Sequence, residues 1–382
     1  MGIPIDYRAP ALYLSDIFIS LAIVLTLIEY RDKLSRFIVK NIGLIIPALA
    51  LVIYLFFNSA FSSSDKAASI HFTFKIAEMM LYLLVAILLL SQKNIRLSVQ
   101  KVLKFTIIWQ AAIAILQFTT QQSLGLYILG ERAFDVTTSQ IAQINLFGVE
   151  FLRSYGTFPH PNVLAAFLLV STVAANLKVN VKVKNNKIMS SFFGDNAVAI
   201  FAALGILITF SKTALVLVLL YILFNIKDFK MRILLITLLV LALFIYLRFF
   251  TQTYIETVAE RILLSQAAIN ISLQNLSFGV GANNFILHLA KLNLISIGQV
   301  RLLQPVHNVF LLILAENGIF GLILFSALLF KVFEKADRLP SIFLSLVLLA
   351  YLSIDHFFWT LHQGQMLFFI SAALIYNSKK KL

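Results

Sequence analysis

Side chains that could do chemistry concentrate between residues 251 and 321, in a chain that is otherwise strongly apolar. His307 and Asn308 directly precede an apolar run, and Arg261 lies upstream in a more polar segment. Histidine titrates near neutral pH, so His307 at the mouth of a helix is a candidate base toward a hydroxyl group. The permanently charged guanidinium of Arg261 suits an anionic leaving group such as a phosphate.

Two further features belong to the same stretch. The sequence Gly279-Val-Gly281 predicts a turn whose backbone N–H groups can approach an anion, and it lacks the strand–helix context of a dinucleotide site. Glu316 lies about 13 Å along the next predicted helix, counted from His307. A carboxylate at that depth costs on the order of 2.5–3.5 kcal/mol unless it faces a cavity or a partner. Glu316 is therefore either a structural partner or a supporting group for His307.

Three other polar groups fall on the same predicted side of the membrane. Arg153 opens the segment Arg-Ser-Tyr-Gly-Thr-Phe-Pro-His-Pro-Asn and offers a second forked cation. Lys212 lies in a polar turn between two short apolar runs, and Asp355 and His356 precede the last apolar run. We expect the last pair to support His307 or to pair with an arginine. Each group also has a plainer interpretation as a snorkelling cation, a hairpin turn or an interfacial belt.

The composition predicts an all-α, polytopic membrane protein. Of its 382 residues 60% are hydrophobic and 13% are charged, against about 25% charged in a soluble domain. Apolar runs near the roughly 20 residues that cross a bilayer recur along the chain and exceed the strands of a barrel. We expect one integral membrane domain, residues 1–382, with a long helical extracytoplasmic loop at 251–305. The absence of cysteine excludes disulfides and thiolate metal sites.

The apolar runs predict about eleven transmembrane helices. Residues 120–161, a mixed segment, are expected to form interfacial helices, and the basic stretches 31–40 and 93–104 are expected to be loops. The predicted spans are 11–30, 42–57, 67–90, 102–119, 162–177, 195–209, 213–225, 233–250, 306–330, 339–354 and 358–376.

The charge distribution predicts orientation. A net charge of +14 would suit nucleic acid, but the lysines and arginines fall in short loops between spans, the positive-inside pattern of a membrane protein. We therefore expect no nucleic-acid partner, a plasma-membrane location, and a cytoplasmic C-terminus. The candidate chemical groups then face the extracytoplasmic side. The N-terminus also falls outside, so we expect either a further upstream span or a misassigned first one.

In order and spacing, the motifs resemble the superfamily of O-antigen ligases and O-antigen polymerases, membrane glycosyltransferases that use undecaprenyl-diphosphate-linked glycans. The resemblance covers residues 150–325. The pieces that carry it are Arg-x-x-Gly-Thr-Phe-x-x-Pro-Asn from Arg153, Thr-x-Ser-Lys ending at Lys212, Arg261 before Gly-x-Gly-x-x-x-Phe from Gly279, and His-Asn-x-x-Leu with Glu-x-Gly-x-x-Gly from His307. One departure is Lys212 at an arginine position, which keeps the charge and loses the bidentate fork.

The resemblance implies a GT-C-like helical fold and inverting transfer of a glycan from a lipid diphosphate to an acceptor hydroxyl, without a metal or other cofactor. It carries catalytic roles to His307 and Arg261. The expected partners are the lipid-linked donor, the glycan or lipid-glycan acceptor, and membrane lipids. The residues expected to contact the diphosphate or glycan are Arg153, Lys212, Asn308, Gly279 and Gly281, with Glu316, Asp355 and His356 in support.

Several functions stay open at this level. A ligase and a polymerase share the donor and differ in the acceptor, and transfer of a glycan to protein is a third family possibility. A multi-span transporter, from another class, would favour charged groups through the bilayer midplane and paired repeats with broken helices. The sequence has few deep charges, at Lys75, Glu78 and Glu316, and no clear internal repeat. No histidine and carboxylate set with metal spacing is apparent on the outer face.

Overall fold

The protein is mostly helical, as a computed structural model shows for residues 11–139, 141–146, 148–177, 195–225, 237, 258–294 and 302–378. Among these residues, four helices are long and apolar enough to cross a membrane: Arg31–Phe61, Lys66–Leu90, Lys93–Thr120 and Val309–Phe333. The prediction of an all-α membrane protein is confirmed at this level. The number of eleven spans stays a prediction, as do the single domain over 1–382 and the loop at 251–305.

The described elements follow one another as helices with one small hairpin. They are α1 (Leu14–Glu29), α2 (Arg31–Phe61), α3 (Lys66–Leu90), α4 (Lys93–Thr120), β1 (Gln143–Leu146), β2 (Val149–Leu152), α5 (Pro161–Ala175), α6 (Asp195–Thr209), α7 (Lys212–Asn225), α8 (258–274), α9 (Phe285–Lys291), α10 (Val309–Phe333), α11 (Leu339–Ile354), α12 (Phe357–Thr360) and α13 (His362–Tyr376).

The chain divides into two compact units. The first unit comprises Met1–Leu89, Ile236–Asp337 and Leu348–Leu382, and the second comprises Leu90–Leu235 and Arg338–Val347. In the first unit α10 packs against α2 and α13, and in the second α4, α5 and α6 pack together.

The core of the first unit follows from helical periodicity. Leu44, Leu51 and Leu55 recur at helical spacing on α2 and are almost fully buried. Phe325 of α10 and Phe369 of α13 are buried to the same degree. These apolar side chains let three helices that are predicted to cross a membrane pack face to face.

The core of the second unit depends on close helix approach. A Cβ built on Gly205 of α6 would lie 2.7 Å from Leu168 Cδ1 and 3.1 Å from Ala111 Cβ. Small residues at such crossings let membrane helices come together, because packing rather than a hydrophobic difference from lipid drives their association. This contact fixes α6 against α4 and α5, and thereby the turn that follows α6.

A kink in α10 is packed against a glycine turn. Gly318 has φ +63° within α10, and a Cβ there would lie 2.2 Å from the carbonyl oxygen of Ser277. Backbone hydrogen bonds join the segments; among them, Ile319 N–H donates to Leu276 O (2.8 Å) and Val280 N–H donates to Ala315 O (3.0 Å). The kink therefore forms because only glycine permits both this backbone angle and this distance.

Several predicted boundaries are corrected. The basic stretches 31–40 and 93–104, expected to be loops, are helical in α2 and α4. Long charged side chains favour helix over loop, so both helices continue past the apolar run. In α2 a break at Asn41 separates the basic turns from the apolar part.

Two further corrections concern the segment 120–161 and the last predicted span. Residues 120–161, expected to be interfacial helices, instead contain a 3-10 turn at Tyr127–Leu129 and the hairpin of β1 and β2. Gly148, with φ +86°, permits the tight connection between the two strands. The last predicted span is divided at Leu361, whose extended backbone separates α12 from α13. The predicted span 233–250, apart from residue 237, and the lysine loop 178–187 lie outside the described residues.

The kink predicts an unequal response to two glycine substitutions. We expect Gly318→Ala to destabilise the protein by more than about 1 kcal/mol, because alanine is strained at that φ and its Cβ meets backbone. Gly43→Ala is the matched control, since a Cβ there meets nothing within 4 Å. The measurement is the melting temperature of each variant in detergent; equal melting temperatures would contradict the packing role of Gly318.

Candidate active site

The first unit brings His307 against an acidic side chain. Nδ1 of His307 lies 3.5 Å from Oδ1 of Asp355, and their side chains are 20% and 14% exposed. His307 lies just before α10, and Asp355 follows the last residue of α11. At this distance the contact is an ion pair whenever the imidazole is protonated. With Nδ1 turned to the carboxylate, Nε2 is left for a substrate.

His356 lies beside this pair. Its ring centre is 5.3 Å from that of His307, and its backbone N–H donates to Asp355 Oδ1 at 2.8 Å. Its Nδ1 is 2.7 Å from the hydroxyl oxygen of Thr360, which fixes the ring. The short helix α12 thus places His356 and holds it through the residue at the helix's other end.

Arg261 and Asn308 both bind the end of α11. Nη1 of Arg261 donates to the carbonyl of Ile354 (3.0 Å), and Nδ2 of Asn308 donates to the carbonyl of Ser353 (3.1 Å). Asn308 also caps α10, because its Oδ1 accepts the N–H of Leu311 at 3.0 Å. A guanidinium has five N–H donors, so the bond from Nη1 leaves donors for a ligand. Arg261 and His307 therefore contact consecutive residues, Ile354 and Asp355, at one helix end.

Burial and charge act against each other at Asp355 and His356. Burial raises the pKa of Asp355, but its contacts with His307 and the N–H of His356 outweigh this, so the pKa lies below its ordinary value. Burial lowers the pKa of His356 to about 4, despite the opposing charge of Asp355 and with added repulsion from His307 and Arg261. At neutral pH the site therefore holds an ionised Asp355 and a neutral His356.

The structure corrects the expectation that no metal-spaced set is present. His307, Asp355 and His356 each place a ligand atom within 4.8 Å of the other two, a spacing that suits a divalent ion. Their positions 48 residues apart in sequence hide this set, which forms only when α10 meets the α11–α12 junction. The positive charge of Arg261, close enough to act on His356, opposes a cation here.

The glycine turn has a packing role in the structure. The N–H of Gly279 donates to Asn275 O (2.7 Å), and that of Gly281 donates to Glu316 O (2.8 Å). Both donors expected to approach an anion are thus used within the unit. Glu316 is 4% exposed and its Oε1 accepts the N–H of Phe285 at 3.1 Å, so it braces α9. The carboxylate that contacts His307 is Asp355.

In the second unit Arg153 is held by two hydrogen bonds. Its Nε donates to the carbonyl of Thr209 (2.7 Å), and its Nη2 donates to Oδ1 of Asn162 (2.8 Å). Asn162 lies in the first turn of α5, and Thr209 ends α6. Both acceptors, Asn162 and Thr209, belong to the predicted motifs. The Arg153 side chain therefore joins the start of α5 to the polar turn after α6.

Lys212 follows from that turn. Phe210 has φ +49°, a left-handed conformation that reverses the chain between α6 and α7. Lys212 begins α7 and its side chain is exposed. The turn therefore presents Lys212 next to the residues that bind Arg153.

Two glutamines of α4 hold the Arg153 motif by hydrogen bonds. The sequence interpretation missed both. Oε1 of Gln117 accepts the N–H groups of Tyr155 (3.0 Å) and Gly156 (2.8 Å), and Oε1 of Gln110 accepts that of Thr157 (3.1 Å). The signal available in the sequence was two glutamines seven residues apart, on one face of an apolar helix. Polar side chains buried in such a helix need partners, and a loop supplies them here.

Comparison with known proteins gives a family match in the central part of the chain. Residues 197–326 match the family model described as O-Antigen ligase. The resemblance seen in the sequence is confirmed by this match. The matched residues, called the O-antigen ligase region below, form about a third of the chain and include Lys212, Arg261, His307 and Asn308. A search of curated proteins gave no match.

The O-antigen ligase region indicates a ligase- or polymerase-like role in the assembly of surface polysaccharide by a membrane protein. The family is one of enzymes, and its substrates are lipid-linked glycans and polysaccharides. Arg153, Asp355 and His356 lie outside the matched region.

The pKa of His356 predicts acid sensitivity. Because the folded state lowers that pKa from its ordinary value near 6.5 to about 4, protons favour the unfolded state in this window. Stability is then fully present above about pH 6.5 and falls by on the order of 3 kcal/mol toward pH 4. We expect the free energy of unfolding, measured by denaturant titration, to depend less on pH in His356→Gln than in the wild type over this window.

His160→Asn is the control for that titration, since His160 is exposed and asparagine can replace its capping bond to the N–H of Asn162. The lowered pKa of Asp355 adds its own loss of stability only below about pH 4, outside the window. An unchanged slope in His356→Gln would contradict a neutral, buried His356.

Proposed function

We propose that the protein is a membrane glycosyltransferase that moves a glycan from undecaprenyl diphosphate to an acceptor hydroxyl, as an O-antigen ligase does. The observation that carries the proposal is the contact of His307 with Asp355 beside Arg261. A base oriented by a carboxylate and placed next to a fixed cation suits attack by a hydroxyl with an anionic leaving group. The match of the O-antigen ligase region supports the same reaction class.

In the proposed mechanism, the acceptor oxygen attacks the anomeric carbon of the donor as its proton passes to Nε2 of His307. The bond from that carbon to the diphosphate oxygen breaks, and its electron pair stays on the diphosphate. Attack opposite the leaving group inverts the anomeric configuration. Asp355 stabilises the imidazolium, and Arg261 neutralises charge on the leaving diphosphate. His307 then releases its proton to water.

Other residues are proposed to hold the substrates. Arg153 and Lys212 are cations on adjoining motifs of the second unit and suit a phosphate or an acidic sugar. Asn308 stands next to His307, with its amide already ordered by the α10 cap. We assign Gly279, Gly281 and Glu316 to shaping the site through packing, since their polar groups bind within the unit.

The membrane arrangement is part of the proposal. We propose about eleven transmembrane helices in a GT-C-like fold within the inner membrane, with the site on the extracytoplasmic face and the C-terminus in the cytoplasm. The positive-inside distribution of lysine and arginine supports this orientation. A polymerase of the same superfamily is the alternative, in which a second lipid-linked repeat replaces the surface acceptor.

Substitution of the catalytic pair tests the proposal. In proteoliposomes that contain lipid-linked glycan and acceptor, we expect His307→Gln to lower the turnover rate about 10²–10⁴-fold, because it removes the base. We expect Arg261→Lys to lower turnover too, since a point charge cannot replace the forked donor. Gel analysis of the products separates transfer to a surface acceptor from growth of lipid-linked chains.

The matched controls are His288→Gln and Arg36→Lys, which lie outside the proposed site. Both controls should keep wild-type turnover. All four variants should elute from a size-exclusion column as monodisperse protein. If His307→Gln or Arg261→Lys turned over like wild type, that residue would be removed from the mechanism.

Metal independence is a separate expectation. We propose that Arg261 supplies the charge that a divalent ion would otherwise supply, so removal of metals should leave turnover unchanged within about twofold. The measurement is turnover after dialysis against a strong chelator, with and without added Mg²⁺, Mn²⁺ or Zn²⁺. Loss of activity that one of these ions restores would show that His307, Asp355 and His356 act as ligands.

A further inference from the structure

A second group of ionisable side chains lies in the first unit, and the proposed transfer reaction uses none of them. Asp16 belongs to α1, Lys75 and Glu78 to α3, and His362 to α13. Lys75 lies nine residues into α3, about 13 Å along the helix axis. Ionisable groups at such depth in a membrane protein are costly, and they mark ion or proton sites more often than simple scaffolding.

Asp16 is paired through its Oδ2 atom. The ammonium of Lys75 donates to Oδ2, and the backbone N–H of Tyr13 donates to the same oxygen at 2.7 Å. Nε2 of His362 lies 3.3 Å from Oδ1. The two donors on Oδ2 favour the ionised form of the carboxylate, whereas Oδ1 accepts no hydrogen bond within the described part of the chain.

Glu78 is poorly paired. Its Oε2 is 3.9 Å from the ammonium of Lys75, which is already bound to Asp16. Its Oε1 is buried and has no hydrogen-bond partner within the described part of the chain. Glu78 also interacts directly with the carboxylate of Asp16. One ammonium therefore serves two carboxylates that face each other.

The surrounding groups do not supply a second fixed cation in the described structure. On α1, Ser15 Oγ lies 2.8 Å from Nε2 of His362, and the Tyr13 ring stacks on the His362 ring at 4.6 Å. The Lys75 ammonium lies 5.4 Å from the Tyr13 ring centre. On α3, His71 precedes Lys75 by one turn and faces the same group. Neither imidazole is a permanent cation, since histidine titrates near neutral pH.

We propose that Glu78 carries an exchangeable proton, and that Asp16, Lys75, Glu78 and His362 form a proton-binding site within the membrane part of the protein. With both acids ionised the group has one excess negative charge, which costs several kcal/mol in hydrocarbon. One proton on Glu78 removes that charge and allows its O–H to donate to Asp16. Two acids that share a proton in this way are a known solution when like charges lie side by side.

The proposed proton site adjoins the segment that carries Asp355 and His356. His362 begins α13 directly after the extended residue Leu361, and α12 begins directly after His356. A Cβ on Gly364 would lie 2.2 Å from the carbonyl of Phe357, so the α12–α13 break is tightly packed. Loss of the proton leaves two carboxylates in competition for Lys75, which loosens the ion pair that positions Asp16 beside His362. Protonation therefore stabilises the break next to Asp355 and His356.

Infrared spectroscopy of the full-length protein in lipid vesicles tests the site without an activity assay. A protonated carboxyl group has a carbonyl stretch that a carboxylate lacks. At neutral pH we expect the wild type to show this absorption, Glu78→Gln to lose part of it, and the lost part to disappear from the wild type as the pH rises. Glu78→Gln should keep glycosyl transfer, since an amide resembles the neutral acid.

Glu150→Gln is the matched control, because Glu150 is exposed on β2 and should contribute no protonated carboxyl. Its spectrum should superimpose on that of the wild type. If Glu78→Gln also superimposed on the wild type in this region, the proposal would be overturned. A second measurement is the melting temperature between about pH 6 and about pH 9, which should fall in the wild type and stay flatter in Glu78→Gln; parallel curves would overturn it too.

Discussion

The packing of the first unit depends on the backbone contact between the α10 kink and the glycine turn. A break in an apolar helix frees N–H and C=O groups that cannot be left unpaired away from water. The turn after α8 supplies the partners, because Gly279, Gly281 and Gly318 let main chain meet main chain. Asn58 of α2 also binds the turn: its Nδ2 donates to Phe278 O, and its Oδ1 accepts the N–H of Ala282. One interaction thus ties α2, α8 and α10 together.

The candidate catalytic groups occur where helices end, because helix ends leave backbone groups that side chains can bind. Side chains at a helix end can bind the carbonyls or N–H groups that the helix leaves unpaired. Arg261 and Asn308 use the carbonyls at the end of α11, and Asn308 also caps α10. Two helix ends and α8 are therefore joined by polar bonds, and His307 lies next to Asn308 in this junction and contacts Asp355. The bonds that complete the helices also order the site.

Local signals predicted much of the fold, whereas long-range pairing limited the rest. The bounds of α6 and α11 match the predicted spans, because single apolar runs with polar ends define them. The prediction of interfacial helices at 120–161 was wrong, since hairpin pairing depends on contacts that periodicity does not report. His307, Arg261 and Asp355 were recognisable by residue type, but no sequence pattern indicates that Asp355 rather than Glu316 contacts His307. The glycine turn was misread because its N–H partners lie on a distant helix.

The O-antigen ligase region contains the candidate base and the candidate cation but not the carboxylate that contacts the base. Asp355 comes from the segment after α11, beyond residue 326. An imidazole without that carboxylate would rotate more freely and would be a less stable acceptor of a proton. The C-terminal helices are therefore more than added membrane spans, since they supply the charge that orients His307. They also bring His362 to Asp16, so that one stretch of about eight residues contributes both to the candidate active site and to the buried group around Asp16.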